Sequence, residues 1–201
     1  MAPRDGRCKV NMKDISLIGF MGCGKSSVGK ILATLLPECR LIDLDTYIEE
    51  KQGKNIPEIF NEYGEAAFRR MEREALEEIF SDKSRPRAIL SLGGGTVTSE
   101  QCRQLIRQHT DCFYLRATTD TLLDNLEGHS DGRPMLNPTQ PVEAQSTETS
   151  SEREALRRRI ESLMQTRSPQ YIATAHHIID IDGLSFAQIA EAVEANILNI
   201  K

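Results

Sequence analysis

Gly19-Phe20-Met21-Gly22-Cys23-Gly24-Lys25-Ser26 is a full match to G-x-x-x-x-G-K-[ST], and each residue type in it has a physical task. Glycines let main-chain N–H groups curl around phosphate oxygens without Cβ clashes. Lys25 brings a point charge to the β- and γ-phosphates of a nucleotide, and the Ser26 hydroxyl suits Mg²⁺. Gly22, Cys23, Gly24 and Ser27 complete the turn around them. Ile15-Ser16-Leu17-Ile18, just before the loop, reads as a buried strand. Val28, Ile31, Leu32 and Leu35, just after it, recur at helical spacing, so the phosphates would lie on a helix N-terminus. A glycine turn that merely happens to carry Lys and Ser is the bland alternative, and pattern and context together argue against it.

Four more apolar runs read as strands: 40–44, 88–92, 112–115 and 178–181. Near-continuous apolar strands alternating with amphipathic helices predict an α/β protein, a three-layer α/β/α sandwich around a five-stranded parallel sheet buried on both faces. In such sheets ligands bind at the carboxyl ends of the strands. The residues to weigh are therefore those just after each run.

The connection between the second and third strands, about 46–81, exceeds what one crossover needs and is read as a substrate-binding insertion. Pro57 suits the first turn of a short helix with Ile59, Phe60 and Tyr63, Gly64 interrupts it, and Phe68, Met71, Ala75, Leu76 and Ile79 continue at spacings of three and four. Residues 127–152 lack any period and are rich in Pro, Ser, Thr and Glu, which predicts a mobile lid. A capping box, Ser151-x-x-Glu154, predicts the start of the next helix, with Leu156, Ile160, Leu163 and Met164 on its buried side. Residues 1–13 read as a disordered polar leader, and 14–201 as one kinase domain.

Composition excludes several classes. A net charge of −5 provides no bulk attraction for nucleic acid, and the absence of Trp disfavours base-stacking surfaces. No apolar run approaches the ~20 residues of a membrane span. Five cysteines (Cys8, Cys23, Cys39, Cys102, Cys112) without a C-x-x-C pair argue for reduced thiols in the cytoplasm rather than disulfides or zinc.

Three further groups fall where a ligand is expected. Asp43 and Asp45 close the second strand two residues apart, so that their carboxylates would point the same way; one could hold metal waters while the other accepts a hydroxyl proton. A helix N-cap with a spare acid is the alternative, since Tyr47–Lys51 reads as helical. Gly93-Gly94-Gly95 exposes main-chain N–H groups after the third strand, unless it is only a flexible turn. Arg69, Arg133 and Arg167 suit carboxylate clamping or neutralisation of a transferring phosphoryl group, although any one alone reads as a solvated charge.

Taken in order, the phosphate loop, Asp43-x-Asp45, Phe68-Arg69-Arg70-x-Glu72, Gly93-Gly94-Gly95, Arg133-Pro134 and Arg167-x-Pro169-x-Tyr171 resemble the shikimate kinases, within the nucleoside-monophosphate-kinase-like branch of phosphate-loop proteins. The resemblance implies transfer of the ATP γ-phosphoryl group to the 3-hydroxyl of shikimate, on the route to chorismate and the aromatic amino acids. It implies that Asp45 holds the shikimate hydroxyls and acts as base. Arg69, Arg167 and the Gly93–Gly95 main chain would hold the carboxylate, and Arg133 on the lid would reach the transferring phosphate. Ser26 would be a direct Mg²⁺ ligand, with Asp43 acting through water. The expected partners are ATP and shikimate, with no nucleic acid, no membrane and a monomeric enzyme.

The chain also departs from that pattern. An arginine that family members often carry shortly before the lid arginine is missing from Asp124–Gly128; Lys25 and Arg133 suffice, or Arg116 or a lid residue substitutes. The adenine pocket is placed at Asp182–Ser185. Cys23, flanked by glycines at a helix N-terminus, is either a reactive thiol that ATP protects or a small filler. His176 and His177 read as structural. The competing functions are a kinase for another small acceptor, such as gluconate or a nucleoside monophosphate, and a non-catalytic nucleotide-binding module.

Overall fold

The computed structural model describes residues 13–126 and 148–199. Its elements run β1 (Asp14–Ile18), α1 (Lys25–Leu35), β2 (Arg40–Asp43), α2 (Leu44–Gln52), α3 (Ile56–Ser81), β3 (Ala88–Ser91), α4 (Glu100–His109), β4 (Thr110–Arg116), α5 (Thr119–Leu126), α6 (Glu148–Thr174), β5 (His177–Asp180) and α7 (Phe186–Asn199). The five strands form one parallel sheet in the order β2-β3-β1-β4-β5. The α/β class and the five-stranded parallel sheet expected from the sequence are both present.

The central strands β3, β1 and β4 are apolar along most of their length because both faces are covered. At the sheet edge β5 leaves Ile178 exposed, so burial on both faces does not extend to the edges. Side chains alternate between faces. Ile15, Leu17, Ile89, Phe113 and Leu115 pack with α1, α5 and α7, whereas Ile18, Leu90, Cys112 and Tyr114 pack with α2, α3 and α4. Ser16 interrupts β1, but its hydroxyl is satisfied by Thr110 at 2.7 Å, which in turn donates to the Ile106 carbonyl at 2.7 Å. His176 is structural here, its Nδ1 accepting the Cys112 N–H at 3.0 Å. Among the described residues no helix is long and apolar enough to cross a membrane.

Several local expectations need correction. Asp43 ends β2 and caps α2, accepting from the Thr46 N–H, while Asp45 already lies in the first helical turn. The two carboxylates thus do not share a strand face. Helix α6 begins at Glu148, which places Ser151 inside it rather than at a capping position. It also runs through Pro169 to Thr174, so Arg167 lies within the helix. Proline removes one helical hydrogen bond, but burial of Tyr171 and Thr174 on the far side holds the segment in place. Leu35 and Tyr63, expected on apolar faces, are exposed. The predicted lid lies largely outside the described residues, as does Arg133; so do residues 1–12 of the leader.

Helix α3 is started by Pro57 and by a capping box in which Asn55 accepts from the Glu58 N–H and Glu58 accepts from the Asn55 N–H. Gly64 kinks it, at φ 77° and ψ 171°. That backbone region is open essentially to glycine alone, and nothing within 4 Å would meet a side chain there. Gly64→Ala should therefore destabilise through the backbone alone, by about 1–3 kcal/mol. A thermal melt should show the midpoint falling by roughly 2–4 °C per kcal/mol for a chain of this size.

Candidate active site

At the carboxyl edge of the sheet the strand-following segments enclose a cleft of about 630 Å³. It brings together Gly22, Gly24, Lys25, Ser26, Ser27, Asp43, Asp45, Arg69, Gly93, Gly94, Gly95 and Arg167, all of them predicted site residues. Two predicted residues do not line it: Arg133, outside the described residues, and Cys23, which is fully buried beneath the loop. The Cys23 Sγ lies 3.7 Å from Lys25 Nζ, and this burial favours the filler reading over the reactive one.

At the donor end, Lys25 Nζ donates to the Gly19 and Phe20 carbonyls, both at 2.9 Å. Ser26 Oγ donates to Asp43 Oδ2 at 2.7 Å and lies 3.2 Å from Ser91 Oγ. Three hard oxygens on three elements therefore converge beside the loop. Asn125 steadies the loop by donating to the Gly22 carbonyl at 2.9 Å. Arg116 pairs with Asp180 at 2.8 Å, and Asp182 accepts from the Thr118 N–H at 3.0 Å.

At the acceptor end, Asp45 lies opposite Gly93, where a Cβ would come within 2.9 Å of its Oδ1. Burial, then the charges of Glu72 and Asp43, push the Asp45 carboxyl up to about 6, against a smaller opposing effect of Lys25. Arg69 Nη1 donates to Glu72 at 2.6 Å and its Nη2 to Glu65 at 3.0 Å. Glu72 has no exposed surface, and the Thr96 hydroxyl donates to its other oxygen. Burial raises the Glu72 carboxyl above its usual range, and Arg69 and Thr96 oppose that shift. Arg167 is 4 % exposed and sits against the Phe20 ring, with no carboxylate partner among the described residues.

Gly95 takes an ordinary helical backbone conformation, so its role is spatial: a Cβ there would run into the Arg69 guanidinium. Gly95→Ala should displace that guanidinium. The expected result is an acceptor KM raised about tenfold together with a lower melting temperature, in keeping with overpacking costs of about 1–3 kcal/mol; steady-state kinetics with a thermal melt checks both.

Sequence reasoning missed Glu72 as a buried group, and it missed Ser91, Asn125, Ile56, Phe60 and Phe186 as lining residues. Glu72 did carry a signal. It falls at the spacing of Phe68, Ala75, Leu76 and Ile79, on the apolar stripe of α3.

A phosphate loop facing a compact pocket with an unpaired carboxylate oxygen and two arginines defines a kinase for a small anionic acceptor. The shikimate kinase family model matches residues 21–197. The shikimate kinase of Thermus thermophilus is 35% identical over 179 residues, 89% of this chain and 86% of that protein. That of Chlorobaculum tepidum is 37% identical over 91% of each. Among solved structures, shikimate kinase from Acinetobacter baumannii in complex with shikimate superposes with a TM-score of 0.78 at 30% identity, covering 94% of this chain and 95% of that one. The chain belongs to the shikimate kinase family, and its activity is the ATP-dependent phosphorylation of shikimate.

Proposed function

We propose that the acceptor end of the cleft holds shikimate with its carboxylate between Arg69 and Arg167 and its 3-hydroxyl at Asp45. One observation carries this reading. Asp45 Oδ1, Arg69 Nε and Arg167 Nη1 are buried, lack hydrogen-bond partners among the described residues, and belong to residues lining one cleft. Buried polar atoms are ordinarily paired, so these three suit a ligand with an anionic end and a hydroxylated face. Two guanidinium groups match a carboxylate, and an unpartnered carboxylate oxygen matches a hydroxyl donor.

In this reading Asp45 accepts the proton of the attacking hydroxyl, and burial places its carboxyl near the range a base needs around neutral pH. Lys25 and the Gly22–Ser27 main chain hold the β- and γ-phosphates. Phosphoryl transfer needs little covalent help, so positioning and neutralisation of charge are the main contributions of these groups. Arg133, carried by the lid, would reach the transferring phosphate and exclude water.

Ser26 and Asp43 fit Mg²⁺. Their oxygens converge with Ser91. This matches an ion held by one or two protein oxygens together with phosphates and water. Bound there, the ion would neutralise charge on the β- and γ-phosphates. We read residues 14–201 as one kinase domain acting as a monomer in the cytoplasm.

An ADP-release assay with shikimate, gluconate and CMP tests the acceptor. Turnover is expected with shikimate alone, and equal turnover with gluconate or CMP would contradict the carboxylate-and-hydroxyl reading of the pocket.

A further inference from the structure

We propose that Tyr171 is a positioning residue for the acceptor carboxylate, acting by setting the orientation of the Gly94–Gly95 peptide. This inference rests on the placement of the carboxylate between Arg69 and Arg167 given above. Tyr171 is fully buried on α6, and its ring stacks on Tyr114 at 5.0 Å between centroids. Its hydroxyl donates to the Gly94 carbonyl at 2.5 Å. That carbonyl belongs to a loop with three consecutive residues lacking side chains, which cannot be held by packing of its own.

The geometry follows from the planarity of the peptide unit. The chain has no cis peptide among its described residues, and in a trans peptide the C=O and the following N–H point in opposite directions. A Gly94 carbonyl turned toward α6 therefore turns the Gly95 N–H away from α6. Gly95 lines the cleft and abuts the Arg69 guanidinium, and its N–H donates no hydrogen bond within the described residues. It is a free main-chain donor beside one of the two arginines. The other, Arg167, lies one helical turn before Tyr171 on the same helix. One hydroxyl thus ties the helix carrying Arg167 to the peptide that presents the third donor, keeping all three in register. Gly94 also packs against the phosphate loop, where a Cβ would lie 3.2 Å from the Met21 nitrogen.

Tyr171→Phe removes the hydroxyl and keeps the ring stack, and steady-state kinetics with shikimate and with its methyl ester read out the effect. The shikimate KM should rise about threefold to tenfold, the range for a lost neutral hydrogen bond. kcat and the ATP KM should stay within about twofold. The neutral ester should not feel the change. An unchanged shikimate KM accompanied by a lower melting temperature would overturn the proposal and leave Tyr171 as a packing residue.

Arg167→Ala, run in parallel, separates the two layers of inference. Loss of the preference for shikimate over the ester supports the carboxylate placement, and a retained preference overturns that placement and the tether with it. Discrimination through Arg167 without any effect of Tyr171→Phe overturns the tether alone. In the unsubstituted protein, the ¹⁵N–¹H resonance of Gly95 should move on saturation with shikimate and not with the ester. A stationary Gly95 resonance would overturn the proposal irrespective of how any variant folds.

Discussion

Asp45→Asn is expected to reduce kcat by about 10²–10⁴-fold, the range for loss of a positioned general base, while the enzyme becomes more resistant to heat. Asparagine keeps the shape of the side chain and its contact with Gly93 but cannot accept the hydroxyl proton. The gain in stability follows from the surroundings of Asp45. Burial and the charges of Glu72 and Asp43 raise its carboxyl from 3.8 to about 6. A carboxylate with a raised pKa binds its proton more tightly in the folded state than in the unfolded chain. Its contribution to stability is then most favourable below pH 4 and declines as pH rises through 6.

Two pKa units correspond to about 3 kcal/mol, an upper bound for a partly solvated cleft. Without nucleotide or Mg²⁺, the melting temperature of the Asp45→Asn protein should exceed that of the parent at pH 8. The two should converge toward about pH 3, where Asp45 is largely protonated in both states of the parent. A variant that is both inactive and less stable across this range would show that Asp45 serves packing and not chemistry.

Arg69→Ala has the second large effect, and it falls on binding and folding together. A charge-assisted hydrogen bond to a carboxylate is worth about 1.5–3 kcal/mol, so the shikimate KM should rise roughly 10- to 100-fold. The same substitution leaves Glu72, which has no exposed surface, with only the Thr96 hydroxyl. Breaking a buried pair from one side costs about 3–5 kcal/mol, so the melting temperature should fall as well. Adding Glu72→Gln removes the stranded charge. The double variant should recover much of the lost stability while its shikimate KM stays high. Recovery of both would mean that Arg69 matters to the fold and not to the acceptor.

The fold was readable because the features that determine it are local and periodic. β3 and β4 announce themselves as apolar runs and β1 as one broken only by Ser16, since both faces of each strand are buried. The phosphate loop carries its own residue code. Errors arose where tertiary contacts outweighed a local rule. Proline disfavours a helix interior, yet α6 continues through Pro169 because Tyr171 and Thr174 are buried beyond. Asp43 and Asp45 read as one strand face, yet the chain turns into α2 between them, and the sheet edge brings their carboxylates to the same cleft.

The site was legible where residues belong to ordered motifs and illegible where single side chains arrive from distant elements. Phe186, at the start of α7, lies against Gly24 across more than 160 positions of sequence, and no spacing rule connects them. Glu72 lies between these cases. Its place on the apolar stripe of α3 is a signal of burial that sequence reasoning missed, and its pairing with Thr96 depends on the fold.

In the proposed function, shikimate sits between an acidic and a basic wall in front of the phosphate loop. A crystal structure with shikimate and ADP bound tests this most directly. It should show the carboxylate within hydrogen-bond distance of Arg69, Arg167 and the Gly95 N–H, and the 3-hydroxyl on Asp45 facing Lys25. A carboxylate turned toward Lys25, or shikimate seated away from Asp45, would contradict it.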